Sequence, residues 1–457
     1  MQFLKKNYFC IKLDVVGKPL KFNAKRKFIF FAQLYTDCMK CMSDDFNEPL
    51  DDKFSWTHKG KWFIIKQLNF MKTIAFLFLV SILAGCRVSS PQTELFEIDI
   101  SRSHPSRELR IQTVADVEYV ALETTGNFLL DSWSQLSYVS DNYIVVWQRQ
   151  GDIFVFNSDG KALHHFNRLG GGPDEYPRIS NVVFDEKNEE IFVSGNFSRI
   201  IVYSISGNYK RTLALPDNLR NITVYNFDDE TLLVYDATGL LSDEYREEPY
   251  LFVSKQNGSI VSTLGFSLPV RYSNRTNPQF NASGEVVQAP MLITTPNNIR
   301  YGEDFLIADI SSDTIYMLTK NKDLAPILVR KPSVYSSSPF KTVLTSLLKT
   351  DKFIFLWRIA FDIAAILNNQ NIYTSLMYEI ETGRTYHVSF INDDFPSWTW
   401  IPSADNLEIG KNMTADLIDT ALLKDAHDER KLRGELEKLV ETLDEEDNPV
   451  LMIVKFR

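Results

Sequence analysis

The stretch Ile144–Gly160 (IVVWQRQGDIFVFNSDG) returns forty-seven residues later as Ile191–Gly207 (IFVSGNFSRIIVYSISG). Ile144 falls on Ile191, Val146 on Val193, Ile153 on Ile200, Val155 on Val202, Phe156 on Tyr203 and Gly160 on Gly207. Apolar β-branched and aromatic residues grouped in short runs read as strands, and the Asp-Gly that follows the first run suits a tight hairpin. A fixed period in the forties carried by such hairpins marks the blades of a propeller.

Working outward, blade one reads as Leu136–Val139, Tyr143–Trp147, Asp152–Asn157 and Ala162–Asn167, and blade two as Asn181–Asp185, Glu190–Ser194, Arg199–Ser204 and Tyr209–Ala214. Blade three follows as Thr223–Phe227, Thr231–Tyr235, Tyr250–Ser254 and Ser259–Leu264. Blade four has strands at Asp304–Ala308, Asp313–Leu318 and Ala325–Val329, with its inner strand expected within Gly284–Thr294. Blade five has Lys352–Trp357, Ser375–Glu381 and Thr385–Phe390. Towards the end, Pro396–Ile401 and Leu407–Ile409 are candidate inner strands. Asp425–Leu443 reads as one charged helix with Leu432, Leu436, Leu439 and Leu443 on a stripe that docks it to the body. The final apolar strand Pro449–Phe456 and the early Val117–Leu122 each lack a partner. Pairing them closes the ring and removes two exposed edges. The expected fold is therefore all-β: a six-bladed β-propeller over residues 115–457, closed by N- and C-terminal strands, with one C-terminal helix insertion.

Before the propeller the chain changes character. Residues 1–70 carry 13 Lys+Arg and 7 Asp+Glu, whereas residues 71–457 carry 36 and 52. The acidic body argues against nucleic acid as a partner. From Met71, Lys72 gives a positive start, Ile74–Leu83 an apolar run of ten residues, too short for the ~20 that span a bilayer, and Leu83-Ala84-Gly85-Cys86 follows. LAGC resembles the bacterial lipoprotein box, which implies a signal over 71–85 and acylation of Cys86, hence membrane lipid as a partner. A signal must emerge first, so residues 1–70 are expected to lie outside the working protein. Residues 86–114, rich in Ser and Pro, read as a lipidated tether, with one short strand near Leu95–Ile100.

The lipobox, Val117-Glu118-Tyr119-Val120-Ala121-Leu122, Gly170-Gly171-Gly172-Pro173-Asp174-Glu175-Tyr176 and Asn448-Pro449-Val450-Leu451 together resemble the six-bladed propeller lipoproteins of Bacteroidetes, relatives in shape of NHL and TolB-like propellers. The resemblance implies the fold more than an activity. Surface-displayed lipoproteins of that group share an acidic cluster after the cysteine. Arg87-Val88-Ser89-Ser90-Pro91 has none, so the expectation is an outer-membrane protein facing the periplasm.

In a four-stranded meander the first-to-second and third-to-fourth turns share one rim, and the other connections share the opposite one. On the strands above, the long connections 168–180, 236–249, 265–303 and 358–374 all fall on the second rim. Long loops cost ordering entropy and tend to carry function. The candidate binding residues there are Asp174, Glu175, Tyr176, Arg178, Tyr245, Arg246, Arg271, Arg275 and Arg358, a Tyr/Arg mixture suited to peptide, protein or glycan surfaces. The reading is a non-catalytic envelope scaffold, without cofactor. The alternative is a hydrolase or lyase acting on glycans or lactones, for which Asp174, Glu175, Asp304 and Asp309 are the carboxylates to inspect. Other motifs dissolve. Gly170–Gly172 lacks the Lys-Ser/Thr of a phosphate loop. His164 and His165, adjacent in a strand, point to opposite faces and cannot share a metal. Asp228-Asp229-Glu230 is a hairpin turn, and Cys38/Cys41 has no second pair to complete a metal site. Trp398 and Trp400 are expected in the core.

Overall fold

A computed structural model describes residues 95–195, 198–237, 246–268, 271, 279–280, 286–287, 298–336, 342–360, 372–404 and 406–457. Along the chain come β1 (Phe96–Asp99), β2 (Ser106–Arg110), a helical turn α1 (Ile111–Val114) and β3 (Ala115–Ala121). Blade 1 is β4 (Gln135–Val139), β5 (Tyr143–Trp147), β6 (Asp152–Asn157) and β7 (Ala162–Asn167). Blade 2 is β8 (Asn181–Asp185), β9 (Glu190–Ser194), β10 (Arg199–Ser204) and β11 (Tyr209–Ala214). Blade 3 is β12 (Ile222–Asn226), β13 (Thr231–Asp236), β14 (Tyr250–Ser254) and β15 (Ile260–Thr263). A separate hairpin, β16 (Gln279–Phe280) and β17 (Val286–Val287), precedes blade 4, which is β18 (Ile299–Tyr301), β19 (Asp304–Ile307), β20 (Thr314–Leu318) and β21 (Leu324–Lys331). Blade 5 is β22 (Thr342–Lys349), β23 (Phe353–Ala360), β24 (Tyr373–Glu379) and β25 (Arg384–Ile391). The chain ends with β26 (Met413–Ile418), helices α2 (Thr420–Asp428) and α3 (Gly434–Glu441), and β27 (Val450–Phe456).

These strands make a six-bladed β-propeller. In blade 6 the order is β26-β27-β3, with β3 antiparallel to β27 and Leu451 opposite Val120. The early strand β3 and the last strand β27 thus meet in one sheet, as the unpartnered strands require. The repeat that announces the fold is a packing repeat. Ile144, Val146, Ile153, Val155 and Phe156, with their counterparts Ile191, Val193, Ile200, Val202 and Tyr203, are all fully buried. Gly160 and Gly207 hold φ of +81° and +80°, and a side chain at Gly207 would collide with Phe166. Gly258 repeats the device in blade 3 at φ +79°, against the backbone of Ala214.

The structure departs from the sequence reading in four places. The tether over 86–114 ends earlier: β1 runs parallel to β21 and β2 parallel to β25, so the chain walks along the outer edges of blades 4 and 5 before entering blade 6. Ile98, Ile100, Leu109 and Ile111 are buried there, and covering two sheet edges outweighs the polarity of the intervening serines. The inner strand of blade 4 is Ile299–Tyr301, downstream of the more apolar 284–294. The inner strand of blade 6 is β26, while 396–401 and 407–409 form only isolated bridges. Finally, the single helix is two, broken where Arg430 and Gly434 take positive φ. The leucine stripe still docks: Leu432 and Leu436 are buried, and Leu439 and Leu443 pack against the same core. Among the described residues no helix is long and apolar enough to cross a membrane.

Candidate functional site

The ring's axis is obstructed. Leu407-Glu408-Ile409 crosses to the inner strand of blade 1, where Glu408 N donates to Ser137 O (2.9 Å) and Val139 N donates to Glu408 O (3.0 Å). The space on one side of it, bounded by Ser137, Val182, Val224, Asn298 and Arg300, is about 20 Å³, room for roughly one water, whereas Glu408, Ile409 and Arg300 also line a cavity of about 1040 Å³ shared with Tyr119, Tyr138, Ile144 and Ile453.

Glu408 itself is the axial group. Its Oε1 lies 3.4 Å from Arg300 Nε and accepts from Asn226 Nδ2 (3.3 Å), and its side chain is 19 % exposed. Burial pushes its carboxyl up to about 7, against the pull of Arg300 and the Asn226 bond. Arg300 is held in turn by Asn226 O (2.7 Å) and by the face of Phe305, 5.0 Å away. On the short-turn rim this floor opens into a basin of about 580 Å³ edged by Tyr138, Glu186, Lys187, Asp229 and Lys255. Much of its charge is internally paired. Lys255 Nζ meets Asp185 Oδ2 at 2.7 Å, both side chains almost fully buried, and Lys187 pairs with Asp229. Tyr138 donates to Glu186 (2.5 Å), and burial reinforced by that carboxylate pushes its phenol up. Glu408 is not legible in the sequence because its partners, Asn226 and Arg300, lie in blades 3 and 4. The one signal is an acidic residue flanked on both sides by branched apolar ones, Leu407 and Ile409.

On the opposite rim the strand order brings the ends of the four long connections together. The structure separates the candidate residues within them. Tyr176 is not a rim residue: it is fully buried, donates to Gly151 O (2.7 Å) and accepts from Arg168 N (2.8 Å). Its phenol staples the inter-blade loop to blade 1, which is why an aromatic follows the glycines. Glu175 accepts from Gly172 N (2.8 Å), and Asp174 O accepts from Tyr203 (2.6 Å), so both shape the loop. Arg178 is exposed. Arg358 donates to Ile100 O (2.9 Å) and pins the N-terminal segment. Tyr245, Arg275 and Cys86 lie outside the described residues.

Two candidates do converge. Arg271 Nη2 donates to Tyr235 OH (2.6 Å) and to Asp236 O (2.8 Å), and Arg246 Nε stands 3.5 Å from Asp236 Oδ2. Arg271 is only 8 % exposed. Asp309 joins this knot: burial pushes its carboxyl up, opposed by Ser311 N (2.8 Å) and the Arg271 charge. The four carboxylates considered for acid–base work do not come together as a set: Asp174 and Glu175 share the 168–180 loop, Asp309 sits in the Arg271 knot, and Asp304 on the other rim accepts from Lys320 N (3.0 Å). Among the described residues no group of three His, Cys, Asp or Glu is placed to hold a metal. His165 stacks on Phe154 at 4.6 Å and meets Asp152 (2.8 Å). Trp400 is buried and Trp398 stacks on Phe395.

Residues 95–455 match the profile of a domain of unknown function, DUF4934. No curated protein is significantly similar in sequence. Among solved structures, a Bacteroides fragilis NCTC 9343 protein described as exported shares the fold with a TM-score of 0.56 at 13 % identity, over 79 % of this chain and 99 % of that one. Virginiamycin B lyase of Staphylococcus aureus (TM-score 0.33, 13 % identity, 60 % and 79 % covered) and BamB of Moraxella catarrhalis (0.32, 12 %, 60 % and 66 %) overlap more loosely.

Proposed function

The chain belongs to the DUF4934 family, a domain of unknown function, and from that premise we propose that it is an envelope-anchored, non-catalytic scaffold that binds its partner on the long-loop rim. The observation that carries this reading is the obstructed axis: with Leu407–Ile409 bonded across to Ser137 and Val139, the ring offers surfaces rather than a conduit. The long connections supply variable surface on one of them. The sequence LAGC at 83–86 supplies the anchor, and the Bacteroides fragilis protein of like fold is itself described as exported.

A photo-crosslinking residue at exposed Arg178, on the long-loop rim, is expected to capture an envelope component, and the same probe at Lys187, on the short-turn rim, is not. Capture from Lys187 alone overturns the choice of rim. A hydrolase or lyase reading would rest on Glu408, whose carboxyl near 7 suits proton transfer. It is the weaker reading, because the carboxylate next to it, Asp185, is committed to Lys255 (2.7 Å) and Asn188 Nδ2 (2.9 Å).

A further inference from the structure

On the short-turn rim, the first-to-second turns of blades 4 and 5 meet the residues that lead into β26, and they bring two lysines to one aromatic ring. Lys349, the last residue of β22, places its Nζ 3.8 Å from the centroid of Tyr301, and Lys411 places its Nζ 4.9 Å from the same centroid. A ring face attracts a cation, but a second ammonium nearby repels the first. Which lysine keeps its charge most firmly then depends on where the carboxylate of this corner is spent.

That carboxylate, Asp351, is committed to the other lysine. It lies in the turn between β22 and β23 and accepts from Lys411 Nζ (2.8 Å), from the Tyr301 hydroxyl and from Asn412 Nδ2 (2.7 Å). These donors, Lys411 foremost, hold its carboxyl well below the usual carboxylate range. Lys349 Nζ is left with a backbone carbonyl, Thr350 O at 3.1 Å, and the face of the ring. The groups that face it are therefore Tyr301 from blade 4, Asp351 from its own turn and Lys411 from the approach to β26. Lys349 is half-buried. Burial pulls its amine down to about 8; Asp351 opposes that pull and Lys411 adds to it. A desolvated lysine beside a second cation carries a free lone pair far more often than a solvated one, and the lone pair is what attacks carbonyl carbon.

We propose that Lys349 is a nucleophilic amine, a modification site on the short-turn rim that takes up acyl groups from small activated carbonyl compounds. The neutral amine attacks the acyl carbon, the leaving group departs with the bonding electron pair, the surplus proton on nitrogen passes to water, and an amide remains. The product suits the setting. An amide carries no charge, so acylation removes the repulsion from Lys411 and leaves the Lys411–Asp351 pair in place. The site lies on the rim opposite to the partner surface proposed above and stands independently of it.

The test is acetylation of the full chain by substoichiometric N-hydroxysuccinimidyl acetate, followed by peptide mass spectrometry from about pH 6.5 to 10. Accessibility alone ranks Lys352, exposed in the same turn, above half-buried Lys349. The proposal reverses that order. An amine near 8 is neutral about a hundredfold more often at pH 7.5 than one at the usual ~10.4, and lower basicity and partial cover give back some of the gain. Lys349 is thus expected to acetylate about tenfold faster than Lys352 at pH 7.5, its rate levelling off above about pH 9. Lys411→Met removes the neighbouring ammonium and frees Asp351 for Lys349, so it should slow Lys349 severalfold and leave Lys352 unchanged. Both wild-type readouts stand if that variant fails to fold. Slower labelling of Lys349 than of Lys352, a Lys349 rate that still climbs past about pH 9, or a Lys349 rate indifferent to Lys411→Met would each overturn the proposal and leave a structural lysine stacked on Tyr301.

Discussion

Leu451, fully buried, stands opposite Val120 in the antiparallel pair that joins the last strand to β3 and closes the ring. Closure converts two sheet edges into interior, so its cost of loss exceeds that of a surface contact on the same strand. Leu451→Ala is expected to destabilise by about 2–5 kcal/mol in urea unfolding. Lys455→Ala, which removes only the half-exposed pair with Glu118 (2.8 Å), should cost under about 1 kcal/mol. Equal effects would mean that closure is not what holds blade 6.

Lys255 and Asp185 tie blade 3 to blade 2 with almost no water between them. Lys255→Met strands a buried carboxylate and is expected to cost roughly 3–5 kcal/mol, whereas adding Asp185→Leu should recover part of that loss. A double variant worse than the single would show that Asp185 acts mainly by capping the turn at Asn188, to whose N and Nδ2 it also bonds (3.3 and 2.9 Å).

Glu408 predicts a pH dependence of unusual sign. Its ordinary value is 4.5 and burial raises it to about 7, so between those values the folded state holds a proton that the unfolded chain has released. Stability then falls as pH rises from 4.5 through 7, by at most roughly 3 kcal/mol, with no contribution below that window. Glu408→Gln should abolish this slope. Urea midpoints at pH 5 and pH 8 for the two proteins decide it: parallel behaviour would place the Glu408 carboxyl in ordinary solvent.

The anchor is tested without reference to any ligand. Expressed in a bacterium with lipoprotein processing, the protein is expected to incorporate labelled palmitate and to enter the detergent phase, and Cys86→Ser is expected to do neither. Labelling that survives the substitution would refute acylation at this cysteine.

How far the sequence could be read follows from the range of the forces involved. Blade 2 was delimited residue for residue, because its burial pattern and its turns are local. Short strands whose neighbours carry the packing leave little local pattern: Ile299–Tyr301 has three residues, and the stretch 284–294 upstream is more apolar. The break between α2 and α3 lies just ahead of the leucine stripe, which begins at Leu432, and no local residue preference announces the positive φ of Arg430. Sites fared worse. Tyr176 has the residue type of a binding surface, yet it is core because Gly151 O, twenty-five residues back, is there to accept its proton. Glu408 is a single acidic residue until Arg300 and Asn226 are brought beside it.

Asn448 ties the closing strand to the loop 123–134. Its Nδ2 donates to Glu123 O (2.9 Å) and Phe128 O (2.8 Å), and its Oδ1 accepts from Leu130 N (2.8 Å). The side chain is 3 % exposed, so water cannot replace these bonds in place. Asn448→Ala is expected to cost roughly 2–4 kcal/mol. The loss should also be unevenly distributed: amide exchange at Leu130 and its neighbours in 123–134 should quicken before the β27–β3 ladder responds. Asn448→Asp keeps the acceptor and removes both donors, so it should preserve Leu130 protection while losing part of the stability. If Asn448→Ala speeds exchange along β27 first, the asparagine serves closure, and the rigidity of that loop needs another source.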